Sequence, residues 1–137
     1  MARSQLVKLL LDTHIWLWSL GEPRNLKPRI ARELASSDNQ LWLSPLSIWG
    51  FFILSSRGKV VLYEPAEEVA RQALANTALK EAPVTADVVM ATRSVKLEHR
   101  DPVDSFLAAT ARAFDLTLVT ADQKLLRGGG FSVLANH

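Results

Sequence analysis

The chain has no cysteine among its 137 residues. That excludes a disulfide framework, a thiolate zinc site and a cysteine nucleophile, and it fits a reducing cytosol. Histidine is scarce as well. His14, His99 and His137 are scattered, with no i, i+4 pair to begin a zinc site, and none is assigned to catalysis. Ser44, Ser47 and Ser105 lack a Gly-x-Ser-x-Gly setting or a paired base, so acyl transfer has no support. The glycine triplet at 128–130 is not followed by Gly-Lys-Ser/Thr and reads as a flexible turn, not a phosphate loop.

Long apolar runs are missing too. Residues 39–56 carry no charge, but the strongly apolar stretch 41–54 is interrupted by Pro45 and is shorter than the ~20 residues a spanning helix needs. Near the N-terminus, Arg3 and Lys8 precede an apolar run that Asp12 and His14 break, with no cleavage site after it. The expectation is a cytoplasmic protein with no membrane partner.

What is present is globular: 48% hydrophobic and 22% charged residues, in a length that suits one domain over 1–137. The net charge of +2 hides an asymmetry. Residues 1–60 hold eight Lys and Arg against four Asp and Glu, whereas residues 61–137 hold eight against ten. A basic half and an acidic half suit a protein that attracts phosphate and also holds cations, although many inert chains are equally lopsided.

Apolar runs and helical patterns alternate from end to end. Strands are expected over 6–11, 41–44, 81–84, 117–119 and 131–134, and helices over 13–20, 28–37, 45–56, 65–77, 85–97, 102–114 and 121–126. Such alternation implies crossover connections and a three-layer α/β/α domain around a mainly parallel sheet of four to five strands.

In such sheets ligands bind beyond the carboxyl ends of the strands, and acids stand at those places. Asp12 ends the first strand, Asp122 follows the strand Thr-Leu-Val after two intervening residues, and Asp101 and Asp104 open the helix of HRDPVDSFLAATA. Carboxylates gathered in one cleft repel one another unless cations join them, and oxygen-only donors suit Mg²⁺ or Mn²⁺. Each acid also has a plainer reading. Asp101-Pro102-Val103-Asp104 makes a good helix start, Asp12 and Thr120 can be N-caps, and Asp122 can be a first-turn acid.

Four blocks, LLLDTHIWLW at 9–18, LSPLSIWGF at 43–51, HRDPVDSFLAATA at 99–111 and LTLVTAD at 116–122, resemble the PIN-domain family. The nearest group is the toxin ribonucleases of VapBC toxin–antitoxin pairs, and the resemblance covers nearly the whole chain. It implies a Mg²⁺- or Mn²⁺-dependent endoribonuclease that acts on RNA, forms a homodimer and is held inactive by a small VapB-like antitoxin. Matched residue by residue, Asp12 corresponds to the family's first acid, Asp104 to the third and Asp122 to the fourth. Thr120 corresponds to a supporting hydroxyl, Thr13 to the residue after the first acid and Asp101 to an accessory acid.

The family's second acid, a Glu in a Ser-x-x-Glu pattern, is replaced here: Ser47-Ile48-Trp49-Gly50 puts Gly50 at its position. Glycine inside a helix costs about 1 kcal/mol relative to alanine, and nothing in the local pattern asks for it. Loss of function, engineered or spontaneous, accounts for Gly50, as does natural variation. The resemblance therefore implies an impaired nuclease. The other reading is a degenerate PIN-like domain that binds RNA or a protein without catalysis.

Arg24, Lys27, Arg29 and Arg32 form the densest basic group, with Arg57 and Lys59 after the third helix. They read either as phosphate contacts or as a solvated helix face, the commoner fate of a charge run. Trp16 and Trp18, two apart on a short helix, cannot both face the core, which frees one to stack on a base or meet a partner. Trp49, Phe51, Phe52 and Leu54 surround Gly50, so that helix is buried in core or in an interface.

Overall fold

The computed structural model describes residues 7–76, 78–98 and 101–137. His99 and the ends of two expected elements, at residues 6 and 77, lie outside them. Five strands, β1 (Val7–Leu11), β2 (Asn39–Leu43), β3 (Leu79–Glu81), β4 (Thr117–Thr120) and β5 (Ser132–Ala135), form one sheet in the order β3-β2-β1-β4-β5. Every pairing is parallel, so the sheet is wholly and not mainly parallel. The helices are α1 (Thr13–Gly21), α2 (Pro28–Ala35), α3 (Pro45–Ser56), α4 (Ala66–Asn76), α5 (Ala86–Ala91), α6 (Pro102–Phe114) and α7 (Gln123–Leu126). Among the described residues no helix is long and apolar enough to cross a membrane.

The run Leu9-Leu10-Leu11 is buried throughout because alternate side chains enter different cores. Leu9 and Leu11 pack with Ile15, Trp16, Ile30, Phe51 and Ala70 from α1 to α4. Leu10 packs on the opposite face with Leu107 and Ala111 of α6 and Leu125 of α7. This is the three-layer arrangement. Of the two tryptophans on α1, Trp16 is buried and Trp18 half-buried. On α3 only Ser47 and Phe51 are buried, while Trp49 is 50% exposed, so that helix is not enclosed on all sides.

Several expectations need correction. The loop after α1 contains a 3-10 turn at Pro23–Asn25. β3 lies at residues 79–81, ahead of 81–84, because its partner Leu41 in β2 aligns with Leu79. α5 ends at Ala91 and the chain turns through 92–94 instead of continuing to 97. The 128–130 triplet is a close-packed turn. Gly129 bridges to Lys96, and Gly130 adopts φ +91 with its Cβ position only 2.5 Å from the Ser94 carbonyl oxygen.

Candidate functional site

The chain leaves β1 outward through β2 to β3, then returns to β1's other edge as β4 and continues to β5. The direction of travel therefore reverses between β1 and β4, the place where an open parallel sheet leaves a crevice at its carboxyl end. Leu11 pairs with Val119 across that boundary, which sets Asp12 beside Thr120.

Thr120 joins two of the acids. Its Oγ1 donates to Asp12 Oδ2 at 2.7 Å and accepts from the Asp122 backbone N–H at 3.0 Å. The other oxygen of Asp12, Oδ1, accepts from Thr13 N–H at 2.8 Å and so caps α1. Asp101 caps α6, accepting from the N–H groups of Val103 and Asp104. Asp122 caps α7, accepting from Lys124 N–H at 2.9 Å. Asp122 is thus an N-cap and not a first-turn acid, and Thr120 caps no helix because α7 begins only at Gln123. Capping and site-building are not alternatives here: each capping carboxylate commits one oxygen to a helix end. Asp104, in the first turn of α6, caps nothing.

Asp12, Asp101, Asp104 and Asp122 line a single cavity of about 650 Å³ with Thr13, His14, Gly50, Arg57 and Lys124. Burial pushes the Asp12 carboxyl above its ordinary range, against the opposing hydrogen bonds from Thr120 and Thr13. Asp104 is pushed up to about 7 by burial and then by the charges of Asp101, Asp12 and Asp122, with Lys124 opposing. Proton uptake is how crowded carboxylates relieve their repulsion when no cation does so.

The donors are all oxygens, of the type hard divalent cations prefer, and their mutual repulsion is what such a cation would relieve. In kind, the residues fit Mg²⁺ or Mn²⁺. Among the described residues, however, no group of three or more His, Asp or Glu side chains stands close enough together to hold a metal ion by itself.

Gly50 lies on the same wall. A Cβ there would stand 3.1 Å from Thr13 Oγ1, so α3 packs tightly against the first residue of α1. A side chain at 50 would require Thr13, 37 positions earlier, to shift by a few tenths of an ångström, a tertiary contact that no local pattern displays. Arg24, Lys27, Arg29 and Arg32 are exposed on the 3-10 turn and α2, and line no part of the cavity. The cations that do line it are Arg57 and Lys124. Sequence reasoning passed over Lys124; the signal was its place two residues after Asp122, in the first turn of α7. Of the cavity's apolar wall, Trp18, Trp49 and Leu54 are residues that the sequence already marks for stacking or for an interface, and Ile53 is the addition.

Comparison with known proteins bears on this geometry. The PIN domain profile matches residues 9–130. No curated protein sequence gives a match. Among solved structures, the chain is similar to a VapBC pair from Rickettsia felis bound to a promoter DNA fragment, at TM-score 0.69 and 16% identity, over 94% of this chain and 98% of that one. It is also similar to a toxin–antitoxin complex from Klebsiella pneumoniae, at TM-score 0.62 and 20% identity, over 94% and 98%. FitAcB from Neisseria gonorrhoeae gives TM-score 0.59 and 18% identity over 93% and 97%. At such identities these neighbours speak for the fold, and the profile match over most of the chain speaks for the family: the chain belongs to the PIN-domain family.

Proposed function

We propose that this protein is a metal-dependent endoribonuclease, the cytoplasmic toxin half of a VapBC-type pair. It would work as a homodimer and be restrained by a VapB-like antitoxin. The observation that carries the reading is the meeting of four carboxylates in one cavity at the reversal point of a PIN-domain sheet. The toxin–antitoxin complexes among the structural neighbours support the partner.

Asp12, Asp104 and Asp122 would hold Mg²⁺ or Mn²⁺, with Asp101 as an accessory acid. Thr120 orients Asp12, and the Thr13 hydroxyl stands at the cavity wall where α1 begins. The bound cation would supply Lewis-acid stabilisation of charge developing on the scissile phosphodiester. Lys124 and Arg57 draw the polyanion to the cavity, and Arg24, Lys27, Arg29 and Arg32 would extend that attraction outside it.

A second reading is favoured by Gly50 and by the lack of a ready three-carboxylate cluster among the described residues. It is a PIN domain that binds RNA or protein without cutting. One experiment separates the two: single-stranded RNA incubated with Mn²⁺ or chelator, with this chain and with Gly50→Glu. The nuclease reading expects Gly50→Glu to raise Mn²⁺-dependent cleavage by on the order of 10–100-fold, since lost metal-site groups cost that much or more. It also expects chelator to abolish the cutting. Cleavage by neither chain leaves the binding domain.

A further inference from the structure

The cavity has two chemically different walls. One is acidic, from the ends of β1 and β4 and the start of α6. The other is apolar and aromatic, from Trp18 of α1 and Trp49, Ile53 and Leu54 of α3, with Arg57 at the end of α3. Core packing does not explain Trp49. Trp16 and Phe51 meet edge-on at 5.9 Å and fill the core under these helices, while Trp49 keeps half its surface exposed and opens on the cavity. Trp18 is steadied by His14, their ring centres 5.7 Å apart.

We propose that Trp49 and Trp18, with Arg57, form a stacking subsite for a nucleobase of the RNA strand whose phosphodiester lies at the acids. The proposal rests on the nuclease reading and adds to it the residues that position the strand. Three features select this occupant. The apolar wall is continuous with the acids in one cavity whose volume falls within the range of roughly 300–1,000 Å³ typical of small-ligand sites. Aromatic faces stack on any base, so a wall of this kind binds single strands without reading sequence. Arg57 supplies a cation on the apolar side, for a phosphate or a base face.

The test measures anisotropy of a fluorescein-labelled eight-nucleotide RNA and of an abasic phosphodiester of equal length. Both are read at 4 °C with Mg²⁺, and the probes are checked intact by gel. Trp49→Ala is expected to weaken RNA binding about tenfold, Trp49→Phe to stay within about threefold of the parent, and neither to change binding of the abasic probe. Thermal melts establish that both variants are folded. Equal RNA affinity in Trp49→Ala and the parent overturns the subsite and leaves the wall to a protein ligand. An equal loss for the abasic probe, or no RNA binding by the parent, also overturns it. The two readings fail separately. Cleavage by Gly50→Glu without a Trp49 effect removes the subsite alone, whereas a Trp49 effect without any cleavage removes the nuclease and keeps the stacking wall.

Discussion

Asp104 shows most directly what crowding does to a single carboxylate. Its carboxyl is raised from the ordinary 3.8 to about 7, by burial first and then by Asp101, Asp12 and Asp122. The folded chain therefore holds a proton that the unfolded chain has released between those two values. Stability from this group is greatest below about pH 4, falls as the pH rises to about 7, and is flat beyond. Metal-free melting is thus expected to show a lower Tm at pH 8 than at pH 5. Asp104→Asn should shrink that difference and raise the Tm at pH 8, where the parent's Asp104 is ionised against burial and its acidic neighbours. On the proposed metal-dependent reading, Mn²⁺ would displace the same proton, so its Kd is expected to tighten as the pH passes through 7. A Tm difference unaltered by Asp104→Asn would place the strain elsewhere.

At the scale of elements, packing of turn on turn matters as much as any helix. The turn after α5 presents the Ser94 carbonyl to Gly130, and Arg112 of α6 donates to the Gly130 carbonyl oxygen at 2.9 Å. Gly130→Ala would put a Cβ 2.5 Å from that backbone oxygen at a positive φ, which combines a steric clash with backbone strain. A loss of about 2–4 kcal/mol in urea unfolding is expected, against about 1 kcal/mol for removing the Asp101 cap with Asp101→Ala.

The same elements mark what sequence can and cannot disclose. The bounds of α3 and α6 were legible because each opens with a capping side chain followed by proline, at Ser44-Pro45 and Asp101-Pro102. β3 was displaced because Leu-Lys-Glu at an edge carries no pattern of its own, and its limits come from pairing with β2. α5 was overextended because what stops it is the close approach of the 94 and 130 backbones, a contact between distant segments. The acids could be placed at strand ends, yet the crevice between β1 and β4 depends on strand order, which local periodicity does not encode.

At the scale of the whole molecule, the charge asymmetry acquires a geometry. Three of the acidic half's ten carboxylates, Asp101, Asp104 and Asp122, meet Asp12 of the basic half at one cavity, while Arg24, Lys27, Arg29 and Arg32 lie exposed outside its lining. On the proposed nuclease reading, the salt dependence of RNA binding would map the strand across this surface, because each lost phosphate contact on a single strand lowers the log–log slope by about 0.7. Arg57→Glu and Lys124→Glu, inside the cavity, are expected to flatten the slope most. Any flattening by Arg29→Glu with Arg32→Glu measures how far the strand continues over α2.

The Thr120–Asp12 hydrogen bond spans 108 positions. A ribosome working at roughly 5–20 residues per second needs on the order of 5–20 s to add that stretch. For that whole interval the growing chain carries its first acid without the hydroxyl that holds it or the strand that walls the crevice. A fragment lacking the last quarter of the polypeptide cannot assemble this cavity, however well its first helices pack. If the finished protein harms the cell that makes it, the late arrival of β4 beside the central strand delays that harm until synthesis is nearly complete.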